Sequence, residues 1–363
     1  MARQSVGSDR PRQIRPTGSF EMPTIKLPGG RWVLLIPGAV ILLVAVIAAL
    51  GFLNPPDVTL NTNAIWLMND WTYTQRSDED LAQLAATLQE NRVGTVYAYV
   101  SSLREDATWA SADSIARFNT VEAAVIDFAA RFKQAYPDVA LYAWIEVQAS
   151  TTEGYRLDSP QVQRVVADFS QRTIDVMQFD GVLLDVKPIF DGNPDFPALL
   201  QAVRRNIGLD TSLAVAVPAD LTPTDAGIVL PPQIAPDTVW SLAYKQRIAL
   251  QADSLVVTAY NSYLNNPVDY MTWVSYQVNA YLAAMSAIDT TSQLVISVPQ
   301  YADRQPAHNA TVESLAGALD GVSQAFGALT DAQRALFKGI AIFADRPLTD
   351  EDWRIFREKW VGF

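Results

Sequence analysis

Residues 179–192 read FDGVLLDVKPIFDG. The Val- and Leu-rich run from Gly181 to Lys187 lies between an Asp–Gly pair and a proline, the pattern of a short buried strand. Side chains alternate along a strand, so Leu183, Asp185 and Lys187 share one face and Val182, Leu184 and Val186 the other. The wholly apolar set suits a covering helical layer. The first set ends in two ionisable groups, which are costly to bury unless they pair. An apolar face ending in a charged pair fits a strand that points into a barrel, with Asp185 and Lys187 at its C-terminal mouth.

Seven further runs of the same kind flank this one in order. They are AIWLMN (64–69), GTVYAYV (94–100), VALYAWIEV (139–147), SLAVAVP (212–218), SLVVTAY (254–260), QLVISVP (293–299) and GIAIFA (339–344). Amphipathic stretches with apolar residues three and four apart separate most of them, at 78–91, 120–136, 158–176, 196–207, 267–287, 312–326 and 349–360. The stretch PPQIAPDTVWSLAYKQRIALQ (231–251), broken by prolines, predicts a loop and short turns. SDED (77–80) and TDED (349–352) read as helix starts rather than calcium sites. Eight β-then-α units in a row predict a (β/α)₈ TIM barrel over residues 64–363. An open doubly wound sheet would call for a Gly-rich nucleotide loop, and none follows any strand.

The N-terminal end is different. WVLLIPGAVILLVAVIAALGFL (32–53) is uncharged and long enough, at about 1.5 Å per residue, to cross a hydrocarbon core of about 30 Å. It predicts a single transmembrane helix. A cleaved signal peptide fits less well, because the basic arm is long and no A-x-A site follows. Residues 1–31 hold six basic and two acidic residues, leaving 21 basic and 37 acidic in the rest of the chain. That bias places the arm, expected to be disordered, in the cytoplasm and the barrel outside, joined by a linker at 54–63. A net of −16 on the rest argues against nucleic acid as a partner. The chain has no cysteine and one histidine, His308, which excludes thiolate nucleophiles and multi-histidine metal sites. No cofactor or metal is expected.

The stretch Asp180–Lys187 resembles the fourth-strand signature of family 18 glycoside hydrolases, the chitinase-like barrels, which runs Asp-Gly-x-Asp-x-Asp-x-Glu. Asp180, Gly181 and Asp185 match, Leu183 replaces the middle Asp, and Lys187 replaces the Glu. VVTAYNS (256–262) is similar to the family's sixth-strand Met-x-Tyr-Asp through Tyr260 and Asn261. GIAIF (339–343) is similar to the eighth-strand Gly-x-x-x-Trp, with Phe343 for Trp. The resemblance implies a substrate-assisted mechanism on an amino-sugar glycan. In it the Glu protonates the leaving oxygen, while the last Asp and the Tyr hold the acetamido group. Asp185 and Tyr260 keep those places; the acid is missing.

Lysine is a poor replacement. Its pKa would have to fall by about three units, and a neighbouring carboxylate opposes that. The same argument counts against an imine-forming lysine. Glu146, on the face it shares with Tyr142, Trp144 and Gln148, is the carboxylate able to reach the same mouth, with Asp191 and Asp345 as further candidates. Its plainer role is a salt bridge to Lys187. Asp180 is expected to cap the turn before Gly181, and His308 to lie in a solvated loop. The catalytic candidates are therefore Asp185, Lys187, Tyr260 and Glu146. Glycan contacts are expected from Asn69, Trp71, Tyr97, Trp144, Asn261, Gln300 and Phe343, through stacking and hydrogen bonds. Two function classes remain: a membrane-anchored hydrolase using an acid unlike the family's, and a glycan-binding or envelope-sensing barrel that does not cut.

Overall fold

The computed structural model describes residues 62–111, 116–152, 154–220, 239–300 and 307–362. The predicted arm, membrane helix and most of the linker (1–61) lie outside them. Among the described residues no helix is long and apolar enough to cross a membrane.

Eight parallel strands close into a barrel: β1 (Asn63–Leu67), β2 (Val93–Leu103), β3 (Ala140–Gln148), β4 (Gly181–Lys187), β5 (Ser212–Pro218), β6 (Ser254–Thr258), β7 (Gln293–Gln300) and β8 (Phe337–Ala344). Each pairs with its sequence neighbours, and β8 returns to β1 through Ala64↔Ala341 and Ile65↔Ile342. Closure removes every edge, which parallel strands buried on both faces require. The helices are α1 (Asn69–Thr72), α2 (Asp78–Glu90), α3 (Glu122–Ala135), α4 (Pro160–Asp175), α5 (Asp195–Ile207), α6 (Leu242–Ala249), α7 (Pro267–Ser286), α8 (Leu315–Phe326), α9 (Asp331–Leu336) and α10 (Asp350–Phe356).

Local chemistry explains the helix starts. Ser77 and Asp80 form a reciprocal capping box at α2, and Thr349 and Asp352 form another at α10. Ser159 and Asn266 cap α4 and α7, each followed by a proline at the first helical turn. Both acidic clusters are thus helix starts, as their patterns predict. Three departures are local. β1 stops at Leu67, and Asn69, read as its last residue, opens the short α1. Residues 330–336, outside the helical stretches read from sequence, form α9 with a Thr330–Gln333 capping box. Within 231–251 a regular helix, α6, occupies the C-terminal part, while 231–238 lie outside the described residues.

The barrel interior is filled unequally. Trp66, Tyr97, Tyr142 and Trp144 come from β1–β3, and the other strands offer smaller residues: Ala214, Ala216, Val256, Val295 and Ala341. Large rings from some strands thus need small residues from the others at constant packing density. Gly181 belongs to this fit: a Cβ there would lie 2.7 Å from the Tyr142 ring. The outward faces of the strands, Val182, Leu184 and Val186 among them, join the helices in the main core.

Candidate functional site

Alternation on β4 turns Leu183 into the barrel and leaves Asp185 and Lys187 above it. The Lys187 Nζ donates to Asp185 Oδ2 at 2.9 Å. Asp185 is 2% exposed, whereas the lysine side chain is 52% exposed, so the pair straddles the boundary between core and cleft. The other oxygen, Asp185 Oδ1, is buried without a hydrogen-bond partner. Glu146 on β3 is the direct register partner of Asp185, and Trp144 that of Leu183. Neighbouring strands lie about 4.8 Å apart, so the two carboxylates sit side by side at one mouth.

The expected Glu146–Lys187 bridge is absent. Lys187 pairs with Asp185, and Glu146 makes no hydrogen bond or ion pair. The reason is reach: the i, i+2 partner on the same strand face meets the ammonium first. Burial, reinforced by the Asp185 charge, pushes the Glu146 carboxyl above its ordinary pKa, and Lys187 offsets this in part. For Lys187 desolvation acts downward, but Asp185, their hydrogen bond and Glu146 together outweigh it and raise the pKa. Lys187 is therefore an ammonium ion and a weak acid. The Tyr260 phenol is pushed well above its usual value by burial and then by the Asp185 charge, with a Ser297 hydrogen bond acting the other way.

These groups open on a cleft of about 340 Å³. Met68, Asn69, Tyr99, Trp144 and Phe343 line it together with Glu146, Asp185, Lys187, Tyr260 and Asn261. Its floor is aromatic. Tyr260 stacks on Phe343 at 5.0 Å, and Trp144 meets Tyr99 edge-on at 5.0 Å. Trp66 packs beneath, 4.7 Å from Trp144, with its Nε1 donating to Ser297 Oγ. The Trp144 Nε1 is buried without a partner. The site thus offers a flat apolar floor, two adjacent carboxyl groups in different surroundings and one fixed cation.

Of the residues expected from sequence, Asp185, Lys187, Tyr260, Glu146, Asn69, Trp144, Asn261 and Phe343 come together here. Three do not. Tyr97 lies one layer lower, 1% exposed, between Trp66 and Tyr142, and serves as barrel filling. Trp71 leaves with α1 toward a neighbouring groove of about 530 Å³, where the Arg76 guanidinium covers it at 4.5 Å. Gln300 has the wrong parity: Ser297 faces inward, so residue 300 points to the helices, where its side chain binds Asp352 Oδ1 and Leu315 N. Sequence reasoning passed over Tyr99 as a site residue. Two residues above Tyr97 on the same face, it was within reach of the alternation rule, and burial pushes its phenol up to about 12.

The other candidates sit elsewhere. Asp191 accepts hydrogen bonds from the Ser241 amide and hydroxyl at the start of α6. Asp345 lines the Trp71 groove. Asp180 bridges Lys133 and accepts from the Leu141 amide, so its role is structural, but it ties β4 to α3 and β3 instead of capping the turn before Gly181. His308 is the opposite of a solvated loop histidine: it is 3% exposed and its Nδ1 lies 2.7 Å from Glu313 Oε2. A buried carboxylate partner makes that burial tolerable, and nothing local to the loop sequence announces it.

No protein-family model and no curated protein matches the chain. Solved structures do. The spore cortex-lytic enzyme SleL of Bacillus cereus superposes with a TM-score of 0.54 at 8% identity, covering 84% of this chain and 75% of that one. A chitinase from Chromobacterium violaceum gives 0.53 at 12%, covering 83% and 99%. A chitinase from Rhizomucor miehei gives 0.51 at 14%, covering 82% and 100%. The fold is that of the chitinase-like barrels. At these identities the likeness concerns the fold alone.

Proposed function

We propose that this chitinase-like barrel acts on an amino-sugar glycan, with Glu146 rather than the fourth-strand residue as its proton donor. The observation that carries this is the pairing of Glu146 with Asp185 in register at one mouth, with Lys187 bound to Asp185 alone. Two neighbouring carboxyl groups in contrasting environments are the usual division of labour in glycoside cleavage. Glu146, unpaired and raised in pKa, suits the acid that protonates the leaving oxygen. Asp185, tied to an ammonium ion, suits the carboxylate that faces positive charge developing at the sugar or its acetamido group. The aromatic floor suits the apolar face of a sugar ring.

A second reading keeps the glycan and drops the cleavage. It is favoured by the fixed ammonium standing where the family acid would be, which makes hydrolysis slow. In both readings residues 32–53 anchor the chain in a membrane, with the basic arm cytoplasmic and the barrel outside.

The test is a glycan array with the full chain in detergent, followed by hydrolysis assays on the hits with wild type and Glu146→Gln. Cleavage slowed by Glu146→Gln supports the first reading. Tight binding with no cleavage by wild type supports the second. Binding to no glycan overturns both. Protease accessibility of the barrel in intact cells, but not in inverted vesicles, checks the topology.

A further inference from the structure

Behind the cleft, Glu313 is a buried carboxylate with every direction of its charge in use. It is 1% exposed. Its Oε2 accepts from the Asn261 amide at 2.9 Å and lies 2.7 Å from His308 Nδ1. Its Oε1 accepts from the Ser262 amide at 2.8 Å and from the Ser262 hydroxyl at 2.6 Å. The chain's single histidine thus meets Glu313 through Nδ1.

The segment so gripped is the one that follows β6 and lends Tyr260 and Asn261 to the cleft. Its backbone is unusual. Asn261 has φ 58° and Tyr263 φ 59°, both left-handed without being glycine. Such conformations persist only where the surroundings over-determine them, and they gather at ligand sites. Here the surroundings are Glu313, the Tyr263 amide donating to Ala307 O, and the Tyr270 hydroxyl donating to Ala259 O from α7. Glu313 supplies two of the backbone contacts and is the charged one.

We propose that Glu313, oriented by His308, is a positioning residue that holds the strained 260–263 turn so that Tyr260 and Asn261 face the ligand. The proposal rests on the cleft being the glycan site, but the turn's geometry can be read without any glycan.

Glu313→Gln preserves size and removes charge. Both oxygens of Glu313 receive N–H donors, so whichever becomes the amide nitrogen confronts a donor, and the turn must move. The expected result is a folded barrel with unchanged amide resonances at Leu141 and Gly181. The Asn261 and Ser262 amides shift and broaden, and affinity for the best array ligand falls by about tenfold or more, since small misplacements cost that much or more. Leu199→Ala, a cavity in the main core at a residue that does not line the cleft, serves as a control for lost stability. It should leave those amides and the affinity alone. If Glu313→Gln does not fold, His308→Ala removes one contact and should move the same resonances less far. Folded Glu313→Gln with unmoved Asn261 and Ser262 amides overturns the proposal. So does an affinity loss equalled by Leu199→Ala. If no glycan binds, the functional reading fails while the amide shifts still decide the positioning claim.

Discussion

Glu146→Gln should make the protein more stable at neutral pH while slowing any cleavage. Glu146 is partly buried and unpaired, and its direct register partner is the buried carboxylate Asp185. Two like charges about 5 Å apart repel by about 3 kcal/mol at an effective dielectric of 20 and by about 0.8 in water. Attraction to nearby Lys187 cancels part of this, leaving a net of about 1–2 kcal/mol in favour of the neutral side chain. The sign follows from linkage. Burial and Asp185 raise the folded-state pKa above the ordinary 4.5, so the folded protein holds this proton more tightly than the unfolded chain does. Below 4.5 both states are protonated, and wild type and variant should be alike. As pH rises toward and through the raised pKa, wild type loses stability that the glutamine variant keeps. For a domain of this size, about 1–2 kcal/mol is a rise of several degrees in Tm. Thermal unfolding of both proteins between pH 4 and 8 measures it. An equal or lower Tm for the variant at pH 7, or an advantage unchanged with pH, would refute the electrostatic account of this carboxyl. Removal of the acid should also cost about 10² to 10⁴ in hydrolysis rate.

Lys187→Glu places a carboxyl beside Asp185, whose charge raises the new group's pKa toward neutrality; hydrolysis of array hits should rise, and folded, ligand-binding protein with no gain would count against the missing-acid account. Lys338, at the base of β8 near the Tyr142 ring, has a pKa lowered by burial against a weaker opposing pull from Asp253. Lys338→Met should therefore raise Tm at pH 7, with wild type closing the gap as pH climbs toward the unfolded value of 10.5. Gly321 lets α8 approach α7 so closely that a Cβ would meet Met271 O at 2.5 Å and Val274 Cβ at 2.9 Å. Gly321→Ala should destabilise by about 1–3 kcal/mol in denaturant titration, as overpacked cores do.

The sequence alone determined the eight strands, their order and the face each presents, because burial on both sides of a parallel strand leaves a dense apolar run that turn residues punctuate. Alternation then carried Asp185 and Lys187 into the barrel and Val182, Leu184 and Val186 to its outside. The helix starts were equally legible, since Ser77 with Asp80 and Thr349 with Asp352 act within one turn of chain. The site was legible at Asp185 and Glu146, where parity decides it; it was not at Gln300, taken as a polar strand-end residue although its parity turns it to the helices, nor at Trp71, where the chain turned into a helix one residue after β1.

Other features were decided only by the tertiary structure. That Lys187 closes on Asp185 and leaves Glu146 unpaired depends on the register of β3 against β4. That His308 is buried depends on Glu313, which also reaches the turn after β6. Patterns along a chain record which side of an element meets solvent. Which charge meets which depends on distances between elements, and those exist only once the barrel has closed.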